Sequence, residues 1–118
     1  MLLEDSVSRT FAALADPTRR ALLERLSNGE LGVVELARGT TMTQPAITKH
    51  LKVLEHAGLV SRARQGQRRP ARLRLDGLDE ADAWMRRARG AWVARLDRLE
   101  SHLANSNRPP GAEEPTDA

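Results

Sequence analysis

Apolar residues recur every three or four positions over most of the chain, and every second position over one short stretch. Val7, Phe11 and Leu14 fall on one face of a helix expected over about Val7 to Leu14. Asp16-Pro17 then supplies an N-cap followed by a proline at the first helical position, where the missing N–H costs nothing. This second helix continues through Ala21, Leu22 and Leu26 and stops near Asn28-Gly29 in a left-handed turn. Gly32 precedes a short third helix, Val33 to Arg38, with Val34 and Ala37 turned inward and Gly39 ending it.

After Thr40-Thr41-Met42, Thr43 caps a fourth helix with Pro45 in its first turn. Ile47, Leu51 and Leu54 form its apolar row, with Val53 beside them, and Ala57-Gly58-Leu59 closes it with a glycine stop and a returning hydrophobic residue. The period then changes. Val60 to Gln65 and Ala71 to Leu75 alternate with period two around Gly66-Gln67-Arg68, which predicts a hairpin. Pro70 lacks a donor for the ladder, so it belongs at an edge or just before the second strand. Two short helices joined by a tight turn and followed by a hairpin predict a winged helix-turn-helix: mainly α, with a small β-hairpin wing.

A long helix is expected from about Asp79 to Ala104. Ala81, Met85, Ala88, Trp92, Leu96, Leu99 and Leu103 form its stripe, with Leu78 and Trp84 adding to it. One small domain does not easily cover a stripe of this length. Together with the face of the first helix it predicts a homodimer interface made of Val7, Phe11, Leu14, Met85, Trp92, Leu96, Leu99 and Leu103; the plainer alternative is an intramolecular core helix. Residues 1–104 are thus expected to form one DNA-binding and dimerisation domain. Residues 105–118, rich in Pro, Gly, Glu and Asn without apolar pattern, are expected to be a disordered tail.

Charge sharpens this picture. The formal net charge is only +3, but residues 43–76 hold Lys49, Lys52, Arg62, Arg64, Arg68, Arg69, Arg72 and Arg74 against only Glu55 and Asp76, while both flanks are mildly acidic. A positive centre between acidic flanks points to a polyanion-binding surface. On the fourth helix, Gln44, Thr48 and Lys52 share a line, with Pro45, Lys49 and His56 beside it, opposite the apolar row. A recognition helix enters the major groove with its N-terminal part nearest the bases. Gln44 is then the best base reader, Lys49 can reach guanine acceptors, and Thr48 suits a base or a phosphate. Thr43 and the first-turn N–H groups suit a phosphate, and Arg68 and Arg69 at the wing tip suit phosphates or the minor groove. The remaining wing arginines cannot all face DNA, because residues of one parity share a face; some must brace the hairpin. His50 lies on the flank of the helix and fits a half-buried structural role better than a phosphate contact.

With these residues identified, the chain resembles the ArsR/SmtB family of bacterial winged-helix repressors. The matching stretches run from Phe11 through Ala15-Asp16-Pro17-Thr18 to Arg20, and from Gln44 through Lys49-His50-Leu51 to Gly58-Leu59-Val60, within a similarity covering residues 6–104. It looks closest to the metal-independent branch often found beside genes for START-like hydrophobic-ligand-binding proteins, whose aromatic-rich last helix Trp84 and Trp92 resemble. The resemblance implies a homodimer pairing first and last helices, and repression at an imperfect inverted repeat until an effector releases the protein. It places recognition on Gln44, Thr48 and Lys49, with support from Thr43, Lys52 and the wing arginines.

Other classes fit less well. Cysteine is absent, which removes thiolate metal ligands and thiol redox sensing. The last helix offers Asp82, Asp97, Glu100 and His102, a poor set for zinc, and nothing suggests a cofactor. His50 and His56 do not share a face, and no triad or Gly-rich phosphate loop is present, which argues against an enzyme. With neither a signal peptide nor an apolar run of membrane-spanning length, the expected location is cytoplasmic. A small-molecule effector of unknown identity is compatible with the sequence. The competing reading is a ligand-sensing or protein-interaction module with secondary DNA binding, built on a pocket near Trp84 and Trp92, though plain packing explains these residues more simply.

Overall fold

A computed structural model describes residues 5–107. The element order is α1 (Ser6–Leu14), α2 (Pro17–Leu26), α3 (Val33–Ala37), α4 (Gln44–His56), β1 (Val60–Arg62), β2 (Ala71–Leu73) and α5 (Asp76–Ser106). The chain divides into two compact units, one up to Trp84 and one from Met85 onward. The expected tail beyond residue 107 lies outside the described residues, and α5 reaches two residues past its expected end at Ala104.

The corner between α1 and α2 follows from the run Asp16-Pro17-Thr18-Arg19-Arg20. The Asp16 carboxylate accepts from the N–H groups of Thr18 at 2.8 Å and Arg19 at 3.2 Å, and Pro17 opens the helix. Arg19 and Arg20 reach back to carbonyls in the last turn of α1. Arg19 donates to Ala13 at 2.8 Å and Ala12 at 2.9 Å, and Arg20 donates to Leu14 at 2.6 Å. Arg25 does the same for α3, donating to Leu36 at 2.6 Å and Glu35 at 2.9 Å.

These braces enclose one core. Leu22, Leu23 and Leu26 of α2 meet Leu36 of α3 and Ile47, Leu51 and Leu54 of α4, closed by Leu59, Val60 and Ala71. The apolar row expected on α4 is therefore the buried row. The phase of α3 differs from expectation: Val34 is 50% exposed, and Leu36 is the fully buried residue. Five residues hold too little periodicity to fix a face. The phase of α3 shows in its contacts with other helices: Leu36 enters the core, and Arg25 of α2 holds the Leu36 and Glu35 carbonyls.

In the wing, β1 and β2 pair antiparallel in the register Val60↔Leu73, Ser61↔Arg72 and Arg62↔Ala71. Both strands are shorter than the alternation predicts. Pro70, buried just ahead of β2, has no N–H to extend the ladder, and Gln65 meets Arg68 only as an isolated bridge around Gly66, whose φ is 61°. Leu31 adds a bridge on the far side of Ala71, with paired backbone bonds of 3.1 and 2.7 Å. This link ties the wing to the segment entering α3, and no alternation around Leu31 announced it.

α5 starts at Asp76, earlier than expected. Its first turn lies against the turn after α4, where the Gly77 N–H donates to the Gly58 carbonyl at 3.0 Å. A Cβ at Gly77 would come within 2.2 Å of the Ala57 carbonyl oxygen and 2.9 Å of the Thr10 hydroxyl, so only glycine permits this approach. Thr10 is fully buried and donates to the Ser6 carbonyl at 3.0 Å. Phe11 and Trp84 meet edge to face, with centroids 5.8 Å apart, and each keeps more than a third of its surface exposed. The second unit is helical from Met85 to Ser106, and its apolar residues Trp92, Leu96, Leu99 and Leu103 are all more than half exposed. No helix among the described residues is long and apolar enough to cross a membrane.

Candidate nucleic-acid interface

The face of α4 opposite its buried row is open. Gln44, Pro45, Lys49 and Lys52 are exposed and Thr48 is half-buried; together with Val33 of α3 they line one cleft of about 600 Å³. Five residues expected from the sequence to contact DNA thus lie along one surface. Thr43 sits at its N-terminal edge as the helix cap, its hydroxyl oxygen accepting from the Ala46 N–H at 3.3 Å. The hydroxyl proton remains available to a phosphate oxygen. His50 is half-buried on the flank of the helix.

A second cleft, about 700 Å³, lies between α3 and the wing and is lined by Arg62, Arg64, Gln67, Arg68 and Arg69 facing Gly32 to Glu35. Val33 lines both clefts, so the recognition face and the wing are neighbours across α3. The wing arginines divide into two groups. Arg72 pairs with Glu30 at 3.0 Å and Arg74 with Asp76 at 2.6 Å, which turns both toward the protein. Arg62 donates to the Arg69 carbonyl at 3.0 Å across the hairpin. Burial, and then the neighbouring charge of Arg69, push the Arg62 guanidinium below its ordinary value. Arg72 and Arg74 remain exposed despite their ion pairs, as do Arg64, Arg68 and Arg69, which line the cleft beside α3.

Sequence reasoning missed Glu35. One of its carboxylate oxygens accepts from the Gly32 N–H at 2.6 Å, and the other meets Arg68 at 2.5 Å. The Gly32 bond foremost, with the charge of Arg68 contributing, holds the carboxyl below the usual range. Its position was legible in principle, because a glutamate three residues after an N-cap is the second half of a capping box. Val33 and Gln67 carried no comparable signal.

The chain has no cysteine, and among the described residues no group of three or more His, Asp or Glu is placed to hold an ion.

Comparison with known proteins gives this arrangement a family. The model of the bacterial regulatory protein, ArsR family, matches residues 16–62, from the Asp16 cap through α4 to the end of β1. The chain is 49% identical to the HTH-type transcriptional regulator Rv2034 of Mycobacterium tuberculosis over 73 residues, 62% of this chain and 68% of that protein. It is 32% identical to the transcriptional repressor SdpR of Bacillus subtilis over 79 residues, 67% of this chain and 88% of the repressor. Among solved structures, the homodimeric winged helix-turn-helix DNA-binding domain of a possible ArsR-family transcriptional regulator from Mycobacterium bovis superposes with a TM-score of 0.56 at 29% identity, covering 96% of this chain and 91% of that domain. By these matches, this chain belongs to the ArsR family of bacterial regulatory proteins.

Proposed function

We propose that the protein is a homodimeric repressor that binds an inverted-repeat operator in double-stranded DNA, with α4 in the major groove and the wing tip on the flanking backbone. The observation that carries this reading is the shared surface of Gln44, Thr48, Lys49 and Lys52, continued across Val33 to the exposed arginines of the wing. Gln44 reads adenine through its amide, Lys49 reaches guanine acceptors, and Thr43, Thr48, Lys52, Arg68 and Arg69 hold phosphates. Pro45 fixes the backbone of the first turn and presents an apolar face to the groove.

Dimerisation uses the exposed Phe11 with the half-buried Val7 and Leu14 on α1, and the exposed Met85, Trp92, Leu96, Leu99 and Leu103 on α5. Two-fold symmetry then sets two recognition helices about 34 Å apart on successive major grooves. The repressor named from Bacillus subtilis and the homodimeric Mycobacterium bovis domain support repression and pairing. The DNA-binding and dimerisation domain extends to about residue 104, and the protein works in the cytoplasm, where its DNA is.

Footprinting of the purified protein on DNA flanking its own gene, with nonspecific competitor present, tests this. The expected result is a protected inverted repeat that disappears with Lys49→Ala. Diffuse protection without symmetry, or none from a well-folded dimer, overturns it.

A further inference from the structure

Between α1 and α4 lies a hollow of about 350 Å³, lined by Arg9, Ala12, Lys52, Val53 and His56. Ala12 and Val53 form an apolar floor, and Val53 is left 41% exposed on a helix whose other large aliphatics are buried. The other three lining residues carry nitrogen donors, and none of the lining residues is acidic. On α1, positions 9 and 12 lie opposite Val7, Phe11 and Leu14 at 100° per residue, so a dimer packed through those three leaves the hollow open.

We propose that this hollow binds a small organic monoanion with a compact apolar body, an aryl or medium-chain carboxylate. The volume lies at the low end of small-molecule sites, about 300–1,000 Å³. The apolar body gains by covering Ala12 and Val53, and the carboxylate gains charge-assisted hydrogen bonds from Arg9, Lys52 and the His56 imidazole. An inorganic anion leaves the floor wet, and a neutral molecule forfeits the charged bonds. Lys52 also lines the recognition cleft, so ligand and DNA draw on the same ammonium group. That coupling rests on the DNA-binding reading; binding of the carboxylate does not.

The test is a titration of 1-naphthoate into the full chain without DNA, followed by the methyl resonances of Ala12 and Val53, with 1-naphthol as the neutral counterpart. Saturable shifts at both methyls are expected, with naphthol weaker by about tenfold or more. Val53→Glu, which fills the floor with a like charge, and separately His56→Gln each weaken naphthoate binding about fivefold or more. Both positions are exposed, and a thermal melt verifies that each variant folds. Equal affinity for naphthol, shifts that map elsewhere, or no saturation by about 10 mM overturn the proposal, and the naphthol comparison needs no variant. Because DNA is absent, such a failure counts against this site and not against DNA recognition.

Discussion

The carboxylate of Glu35 joins the start of α3 to the tip of the wing, accepting from the Gly32 N–H at 2.6 Å and meeting the Arg68 guanidinium at 2.5 Å. Arg68 is the more exposed partner, with its side chain 70% accessible against 30% for Glu35. The carboxylate is therefore anchored by the helix, while the arginine is the member free to leave.

That asymmetry predicts the behaviour of Glu35→Gln. The amide oxygen still accepts from Gly32, but the charge that holds Arg68 is gone. DNA affinity is expected to rise a few-fold near 0.1 M salt, and the slope of log K against log salt to steepen by about 0.9, the increment for one added phosphate contact. Anisotropy of a labelled duplex across a salt series measures both. An unchanged slope shows that Arg68 reaches DNA despite its partner.

Within the recognition cleft, Gln44 and Lys52 are expected to fail differently. Gln44→Ala removes a base contact, costing about 1–3 kcal/mol of discrimination against a mismatched site. Lys52→Ala removes a phosphate contact, weakening operator and scrambled duplex alike and shallowing the salt slope by about 0.9. Parallel titrations on the two duplexes separate these outcomes.

The two glycines of α5 give opposite stability predictions. Gly77→Ala drives a Cβ into the Ala57 carbonyl, where the neighbour is backbone and cannot swing aside, and is expected to cost about 1–3 kcal/mol. Gly90 has no atom within 4 Å of an added Cβ, so Gly90→Ala should add about 0.8–1 kcal/mol through helix propensity alone. Urea unfolding of both variants checks the pair. A loss at position 90 instead locates a close neighbour there, supplied by a second copy.

Much of this was legible in the chain. The caps Asp16 and Thr43, the buried row of α4, the glycine stop at Gly58 and the place of Pro70 all follow from local stereochemistry, which a sequence records directly. The phase of α3 did not, because five residues carry too little periodicity and its contacts, Leu36 in the core and Arg25 at its carbonyls, lie with other helices. The early start of α5 was missed for a related reason. It depends on Gly77 fitting against Ala57 and Thr10, a meeting of residues far apart in sequence. Parity showed that some wing arginines must brace the fold. Which ones do so depended on where Glu30, Glu35 and Asp76 lie in space.

Asp16 gives the stability a defined pH dependence. The N–H bond from Arg19, with that from Thr18, lowers its carboxyl from the ordinary 3.8. A depressed folded value contributes stability that is fully present above the unfolded pKa and is lost as pH falls through the folded one. Asp16→Asn keeps an acceptor oxygen but not the charge. Its melting temperature is therefore expected below that of the natural chain at pH 7, with the gap closing below about pH 4. A gap that persists unchanged at pH 2 assigns the effect to cap geometry and not to charge.

The exposed stripe of the second unit makes the strongest claim on a second copy. Trp92 is 59% exposed, Leu96 58%, Leu99 52% and Leu103 53%, all on one helix and recurring at three- and four-residue spacing. A contiguous apolar surface of this kind marks an interaction site in a soluble protein. Burying one leucine contributes about 1.5–3 kcal/mol, and a symmetric interface counts each substitution twice. Leu99→Glu is therefore expected to weaken self-association by about a hundredfold or more. Leu99 is not among the buried residues of the first unit's core, so the cooperative unfolding of that core should persist. Sedimentation equilibrium supplies the test: a natural chain that dimerises at micromolar concentration beside a monomeric, folded variant supports the interface. Two species with the same mass would move the dimer contact off α5 and leave the stripe to another occupant.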